Sequence, residues 1–346
     1  MDNVNRISLP PMNTTEPICN RAKLDTGKSC NYNCWFCYYK DRLDVEDDLQ
    51  TILSRVDYLI ECGIGEVDLS GGESSIHSRW FDILEYCNNK GLHISTVSNG
   101  STFCNMDFLQ RSVDAGLKEI LFSLHGYDAE SHDRIVGRGG AFTDIIKSIE
   151  NANALGLVVR ANCVVCSDNY LQLSSKYVEL IHKFDILEVN FLTLNFWGSA
   201  DVHSKAVSYD VVSYEIKKAI DALNIKYINV RYIPYCYMVN YEKYVCNTYQ
   251  HIYDTYDWNM AVYDQRVSPR EYIGSELSML YKQAGEDRIR GYHKGVGCAS
   301  CKYFYICDGM EKGLSQPVYP IAGSKIRDVV YCRGGFYADK RSNTNT

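Results

Sequence analysis

RAKLDTGKSCNYNCWFC, residues 21–37, decides how this chain is read. Its first part, Arg21-Ala-Lys-Leu-Asp-Thr-Gly27, alternates in the period of a β-strand. The second part follows directly: three cysteines, Cys30, Cys34 and Cys37, in a C-x3-C-x2-C run. Thiolates hold the irons of a [4Fe–4S] cluster, so three of them cap three irons and leave the fourth open to a substrate or cofactor. A structural zinc site would want four protein ligands, with cysteines paired at about two to four residues. Trp35 and Phe36, just before the last cysteine, would shield one cluster face from water.

Outward from this run, strand-like and helix-like segments alternate. Residues 66–70, 93–98, 119–123, 157–165 and 186–192 read as strands. Residues 49–62, 81–90, 106–115, 142–155 and 171–183 read as amphipathic helices. Such alternation implies βαβ units and a parallel sheet with helices outside. With the first strand this gives six, and on periodicity alone a flavodoxin-like open sheet accommodates them.

In α/β folds functional loops lie at the C-terminal ends of strands, where the cysteine run falls. After the second strand comes Ser70-Gly71-Gly72-Glu73, whose glycines let backbone approach a ligand and whose carboxylate can accept hydrogen bonds from an ammonium. Ser98-Asn99-Gly100 follows the third strand and offers a hydroxyl and an amide suited to ribose hydroxyls. Ser123-Leu-His-Gly126 closes the fourth, and Asn162 sits in the fifth within Asn-Cys-Val-Val.

These motifs, in this order, resemble the radical S-adenosylmethionine (SAM) superfamily. The resemblance covers about residues 20–335 and implies a partial (β/α)6 TIM-like barrel. It also implies a cluster on Cys30, Cys34 and Cys37 whose open iron chelates SAM, and reductive cleavage to a 5′-deoxyadenosyl radical. By the same resemblance Gly71, Gly72 and Glu73 contact the SAM amino group, Ser123 belongs to a ribose and carboxylate segment, and Asn162 contacts adenine. His125 stands where aspartate is commoner, and Ser74 where proline is usual. Arg134 or Arg138 could pair the SAM carboxylate; an exposed salt bridge is the plainer role for each.

A second cysteine group, Cys298-x2-Cys301-x5-Cys307 followed by Cys332, suits a zinc ribbon or an auxiliary iron–sulfur cluster. It resembles the C-terminal SPASM domain of radical SAM maturases, with Glu311 where a further cysteine is expected. The resemblance implies one auxiliary [4Fe–4S] cluster on Cys298, Cys301, Cys307 and Cys332. A competing ligand set resembles the shorter twitch domain: Cys236, Cys246, Cys298 and Cys301. Either Cys246 or Cys236 could instead donate a hydrogen atom to a substrate radical.

The 346 residues suffice for a large domain and a smaller one, and 46% hydrophobic with 23% charged content is ordinary for a globular protein. The expected division is an extension over 1–19, the barrel over 20–200, a Tyr-rich bridging region over 201–297, the auxiliary-cluster domain over 298–338 and a disordered tail over 339–346. The tyrosines suit a half-buried surface or a stacking platform for substrate. No apolar run nears the roughly 20 residues of a membrane span. The N-terminus lacks a signal-peptide layout, so a cytoplasmic protein is expected. Fifteen cysteines then point to metal ligation, with Cys62, Cys87, Cys104, Cys163 and Cys166 as buried small hydrophobes and Cys19 unassigned. A net charge of −7 disfavours nucleic acid as a partner.

The expected function is an oxidoreductase of the maturase kind. It would abstract hydrogen from a carbon of a peptide or natural product, with net oxidation through the auxiliary cluster and a flavodoxin or ferredoxin as reductant. The short segment before the barrel leaves no room for the winged-helix leader-peptide domain of many such enzymes. A redox-neutral epimerase or a dehydrogenase acting on a sugar or aminoglycoside is the second reading. A non-catalytic iron–sulfur or zinc protein is the third.

Overall fold

The computed structural model describes residues 21–37, 45–61, 63–194, 202–247, 260–262 and 291–326. Cys19, Cys62, Cys332 and the tail over 339–346 lie outside them.

The six expected strands form: β1 Arg21–Asp25, β2 Glu66–Ser70, β3 His93–Ser98, β4 Leu117–Phe122, β5 Val158–Val165 and β6 Glu188–Thr193. The helices between them are α1 Leu49–Glu61, α2 Trp80–Asn89, α3 Met106–Asp114, α4 Ala129–Val136, α5 Ala141–Ala154 and α6 Val178–Ile181. The helix expected over 171–183 is broken into a 3-10 turn, Tyr170–Gln172, a π turn, Leu173–Tyr177, and the short α6. Beyond residue 200 come α7 Val202–Lys205, α8 Tyr209–Ala222, β7 Tyr227–Arg231, β8 Val245–Cys246 and β9 Met260–Val262.

All nine strands lie in one parallel sheet of order β8-β7-β6-β5-β4-β3-β2-β1-β9. From β1 to β8 the order follows the chain without reversal. A flavodoxin-like sheet reverses beside its first strand, so barrel-type winding is the correct alternative. The sheet is longer than the six-stranded expectation because β7, β8 and β9 extend both of its ends.

Alternation sets the two faces. Ala22, Leu24, Val67, Leu69, Ile120 and Val189 are buried in the main apolar core, which they share with Ile52 and Val56 of α1 and Ile83 of α2. The other face is polar. Arg21 donates to Asp68 (2.6 Å from Nε) and lies 3.6 Å from Glu119. Arg160 of β5 reaches Glu119 at 3.3 Å, Glu188 at 3.5 Å and Asp68 of β2 at 3.6 Å. Three inter-strand steps in a flat sheet would separate β2 from β5 by roughly 14 Å, so this face is concave. Burial opposes the Asp68 charge, but Arg21 and Arg160 outweigh it and hold the carboxyl below its ordinary value. These side chains form an ion-paired floor near the N-terminal ends of the strands. Above it Asn162, Asn190 and Asn229 stand in register on β5, β6 and β7.

The C-terminal residues make a small antiparallel pair, β10 Tyr292–His293 and β11 Met310–Glu311. Tyr235 stacks on Tyr303 at 4.3 Å, and Tyr209 donates from its backbone N–H to Gln316 at 2.7 Å, so this unit packs against the end of the barrel. Among the described residues no helix is long and apolar enough to cross a membrane.

Candidate functional site

The cysteine turn leaves β1 at Gly27 and is clamped from two sides. On one side lies the glycine pair after β2. Gly72 donates to Gly27 O (2.9 Å), and Glu73 N donates to Ser29 O (2.8 Å). A Cβ on Gly72 would stand 1.9 Å from Ser29 O, and one on Gly71 2.2 Å from Gly27 O. The glycines thus admit the backbone of the cysteine turn itself. On the other side lies α4. Its start is fixed by a capping box between Asp128 and Ser131, and its end by Gly137 at φ 66°. Asn33 N donates to Val136 O (3.0 Å) and Trp35 N to Ile135 O (3.4 Å).

Glu73 is buried and fully engaged. Its carboxylate accepts from Ser98 Oγ (2.9 Å), Asn99 N (2.6 Å) and Ser75 Oγ (2.5 Å). Burial pushes its carboxyl up from the ordinary value, while these hydrogen bonds pull it back. Asn99 turns towards the cysteines: its Nδ2 donates to Asn31 Oδ1 (2.9 Å) and lies 3.9 Å from Cys30 Sγ. Tyr32 N also donates to Cys30 Sγ at 3.5 Å. Cys30, Cys34, Trp35 and Phe36 border a second apolar cluster built on Tyr32, Ile135, Val136 and Cys166.

At the end of β4, His125 is buried and its Nδ1 accepts from Val164 N (3.2 Å), which leaves the proton on Nε2. The Phe36 ring meets it edge-on at 4.9 Å, so His125 borders the cysteine turn. His132 of α4 stacks on it at 6.2 Å and accepts from His125 N and Gly126 N. Burial drives both imidazoles to the neutral form, His125 down to about 3 and His132 down to about 4. Asn169, which the sequence gave no reason to single out, donates to both His125 O and Val164 O at 2.7 Å and ties β4 to β5.

The remaining expected residues divide. Ser123 donates from its backbone N–H to Ser98 O (2.8 Å) and is half-buried beside the motif after β3. Asn162 is half-buried on the concave face. Arg134 lies on the outer side of α4, paired with Glu130 (3.3 Å) and Asp168 (3.4 Å). Arg138 is the arginine at the cysteine turn: it donates to Asn31 O (3.2 Å) and covers the Tyr32 ring at 5.3 Å. Cys87, Cys163 and Cys166 are buried apolar side chains; Cys104 is half-buried.

A second grouping surrounds a recess at the C-terminal unit. Cys236, Cys298, Cys301 and Cys307 all line it, together with Lys294 and Tyr235. Burial raises the thiols of Cys236 and Cys298 and pushes Cys307 up to about 12. Cys246 is elsewhere. It pairs in register with Arg231 on the same face as Asn229, so it looks into the barrel. Glu311 is buried on β11, where Tyr209 contacts its backbone N at 3.4 Å. Among the described residues no three His, Cys, Asp or Glu side chains close on one metal-ion position. Four thiols on one recess match the ligand number of a cubane cluster.

Residues 24–171 match the Radical SAM superfamily. Among curated relatives, the probable GTP 3′,8-cyclase of Pyrococcus abyssi is 29% identical over 43% of this chain and 48% of its own length. The antilisterial bacteriocin subtilosin biosynthesis protein AlbA of Bacillus subtilis is 25% identical over 45% of this chain and 36% of its own. The chain spans about half the length of the curated relatives it matches. Among solved structures, Streptococcus suis SuiB bound to precursor peptide SuiA superposes with a TM-score of 0.51 at 15% identity, over 62% of this chain and 49% of that one. SuiB bound to S-adenosylmethionine gives 0.52 over 62% and 51%.

Proposed function

We infer that this chain, a member of the radical SAM superfamily through the domain over residues 24–171, is an enzyme that cleaves SAM reductively and takes a hydrogen from a carbon of a peptide or natural product. The observation that carries the reading is the clamped cysteine turn at the C-terminal end of β1, with the motifs of β2 to β5 beside it. Cys30, Cys34 and Cys37 would hold a cluster that supplies, when bound, the electron for reductive cleavage of SAM, and the recess cysteines would hold one able to accept an electron in a net oxidation.

The chain's own residues bind and shield. The apolar cluster around Tyr32 and Ile135 keeps water from the cysteine turn. His125, edge-on to Phe36 with its proton on Nε2, is a neutral donor at the border of the cysteine turn. Glu73 acts chiefly by holding Ser98 and Asn99 in place. Asn162 offers an amide at the adenine position that the resemblance assigns. A peptide substrate is supported by the names of two similar proteins, a bacteriocin biosynthesis protein and a protein bound to its precursor peptide. A flavodoxin or ferredoxin is the matching reductant.

Replacing Cys30, Cys34 and Cys37 together by alanine should abolish 5′-deoxyadenosine formation with dithionite and SAM, while iron in the recess persists. Cleavage at the wild-type rate would show that these cysteines are not the ligands.

A redox-neutral reading has one observation in its favour: Cys246 faces the barrel interior. As a hydrogen-atom donor it would deliver one deuterium to the product in heavy water, since thiol protons exchange with solvent. Mass spectrometry separates the readings. Loss of two hydrogens from the product supports oxidation, and a gain of a single deuterium supports the Cys246 donor.

A further inference from the structure

Lys294 follows β10 and lines the same recess as Cys236, Cys298, Cys301 and Cys307. It is half-buried, its Nζ donates to Phe304 O, and it lies 4.2 Å over the Phe304 ring. Among the described residues it makes no ion pair within 4.0 Å, so its charge is not spent on a carboxylate. Burial lowers its pKa, and against that act Cys307, Asp308, Cys298 and Cys301. Three of those four opposing groups are recess thiols.

We propose that Lys294 is a positioning charge of the recess, whose ammonium offsets the negative charge of a cluster held by the four thiols and so sets its reduction potential. This rests on the reading that the recess holds a cluster. A cubane with four thiolates is a dianion when oxidised and a trianion when reduced. A fixed cation beside it therefore stabilises the reduced state more than the oxidised one. Net charge and surrounding hydrogen bonds are among the terms that tune such potentials. Lysine supplies a compact point charge for this purpose. The structure contains its own control: Lys325 also lies over the Phe304 ring, at 4.4 Å, but is exposed. Water screens its charge.

The experiment uses the full chain with Cys30, Cys34 and Cys37 replaced by alanine and anaerobically reconstituted, so that only recess iron responds. Potentiometric titration followed by electron paramagnetic resonance reads the one-electron equilibrium. Lys294→Met should disfavour reduction about tenfold, which is 59 mV for one electron. Lys294→Arg and Lys325→Met should each stay within about threefold of the parent by the same measure. An unchanged potential in Lys294→Met with iron retained overturns the proposal. Iron lost from Lys294→Met but kept by Lys294→Arg assigns Lys294 to holding Phe304 O and overturns it, since Met lacks the donor as well as the charge. Iron lost from both assigns Lys294 to packing and overturns it. If the parent itself takes up no iron, the cluster reading has failed first, and that outcome is separate from all the others.

Discussion

Gly72 packs against the cysteine turn so closely that a methyl group in its place would overlap Ser29 O, at 1.9 Å. Neither partner can yield, because both are backbone joined by the Gly72 and Glu73 hydrogen bonds. Gly72→Ala should therefore lose iron from the first site and lose 5′-deoxyadenosine formation, while recess iron stays. Iron counts before and after reconstitution check this, and an unchanged count would mean the turn tolerates displacement. At this scale the sequence showed which residues gather but not which face which. Glycine at positions 71 and 72 announces a close approach, yet nothing in the letters says that the cysteine turn is one partner. Glu73 was legible as a carboxylate near the site; its hydrogen bonds to Ser98 and Asn99 depend on β2 and β3 lying side by side.

The strands of the barrel were readable because Val, Ile and Leu alternate with polar residues that the concave face needs. Helix α4, AESHDRIV, was not, because its apolar side reduces to Ile135 and Val136 with His132 buried beside them. Its neutral histidine was invisible for the same reason. The pair His125 and His132 makes a test at the level of this element. Their folded values, about 3 and about 4, lie below the unfolded value of 6.5. As pH falls below 6.5 the unfolded chain takes up protons first, so stability is lost as pH drops towards those folded values. Between pH 7.5 and 5 each histidine should cost about 2 kcal/mol, at 1.36 kcal/mol per pH unit. Urea unfolding at several pH values measures it, and His132→Asn, which keeps an acceptor for Gly126 N, should remove about half the slope. A flat profile would mean that the imidazoles are not neutral and buried. Strands β7, β8 and β9 escaped sequence reading too: tyrosines blur the alternation around β7, and two- or three-residue strands are defined by their partners.

At the scale of the molecule, the barrel and the cysteine recess are joined through Tyr235, which follows β7 and stacks on Tyr303. Sequence spacing suggested that Cys298, Cys301 and Cys307 act together. That Cys236 shares their recess depends on this long-range packing, and Cys332 lies outside the described residues. The wild-type chain should bind about eight irons, four per cubane. Cys236→Ala should reduce that number to about four, and Cys332→Ala should leave it whole if Cys236 is the fourth ligand. The reverse pattern would restore the set read from spacing.

The frame of the cysteine turn bears on how such a protein matures. Hydrogen bonds from Gly72, Glu73 and Asn33, and to the last turn of α4, are polypeptide struts, in place as soon as β1, β2 and α4 have met. Braced in this manner, the turn should keep its shape without metal, so that a cluster on its cysteines should load after folding and be exchangeable without unravelling the barrel around it.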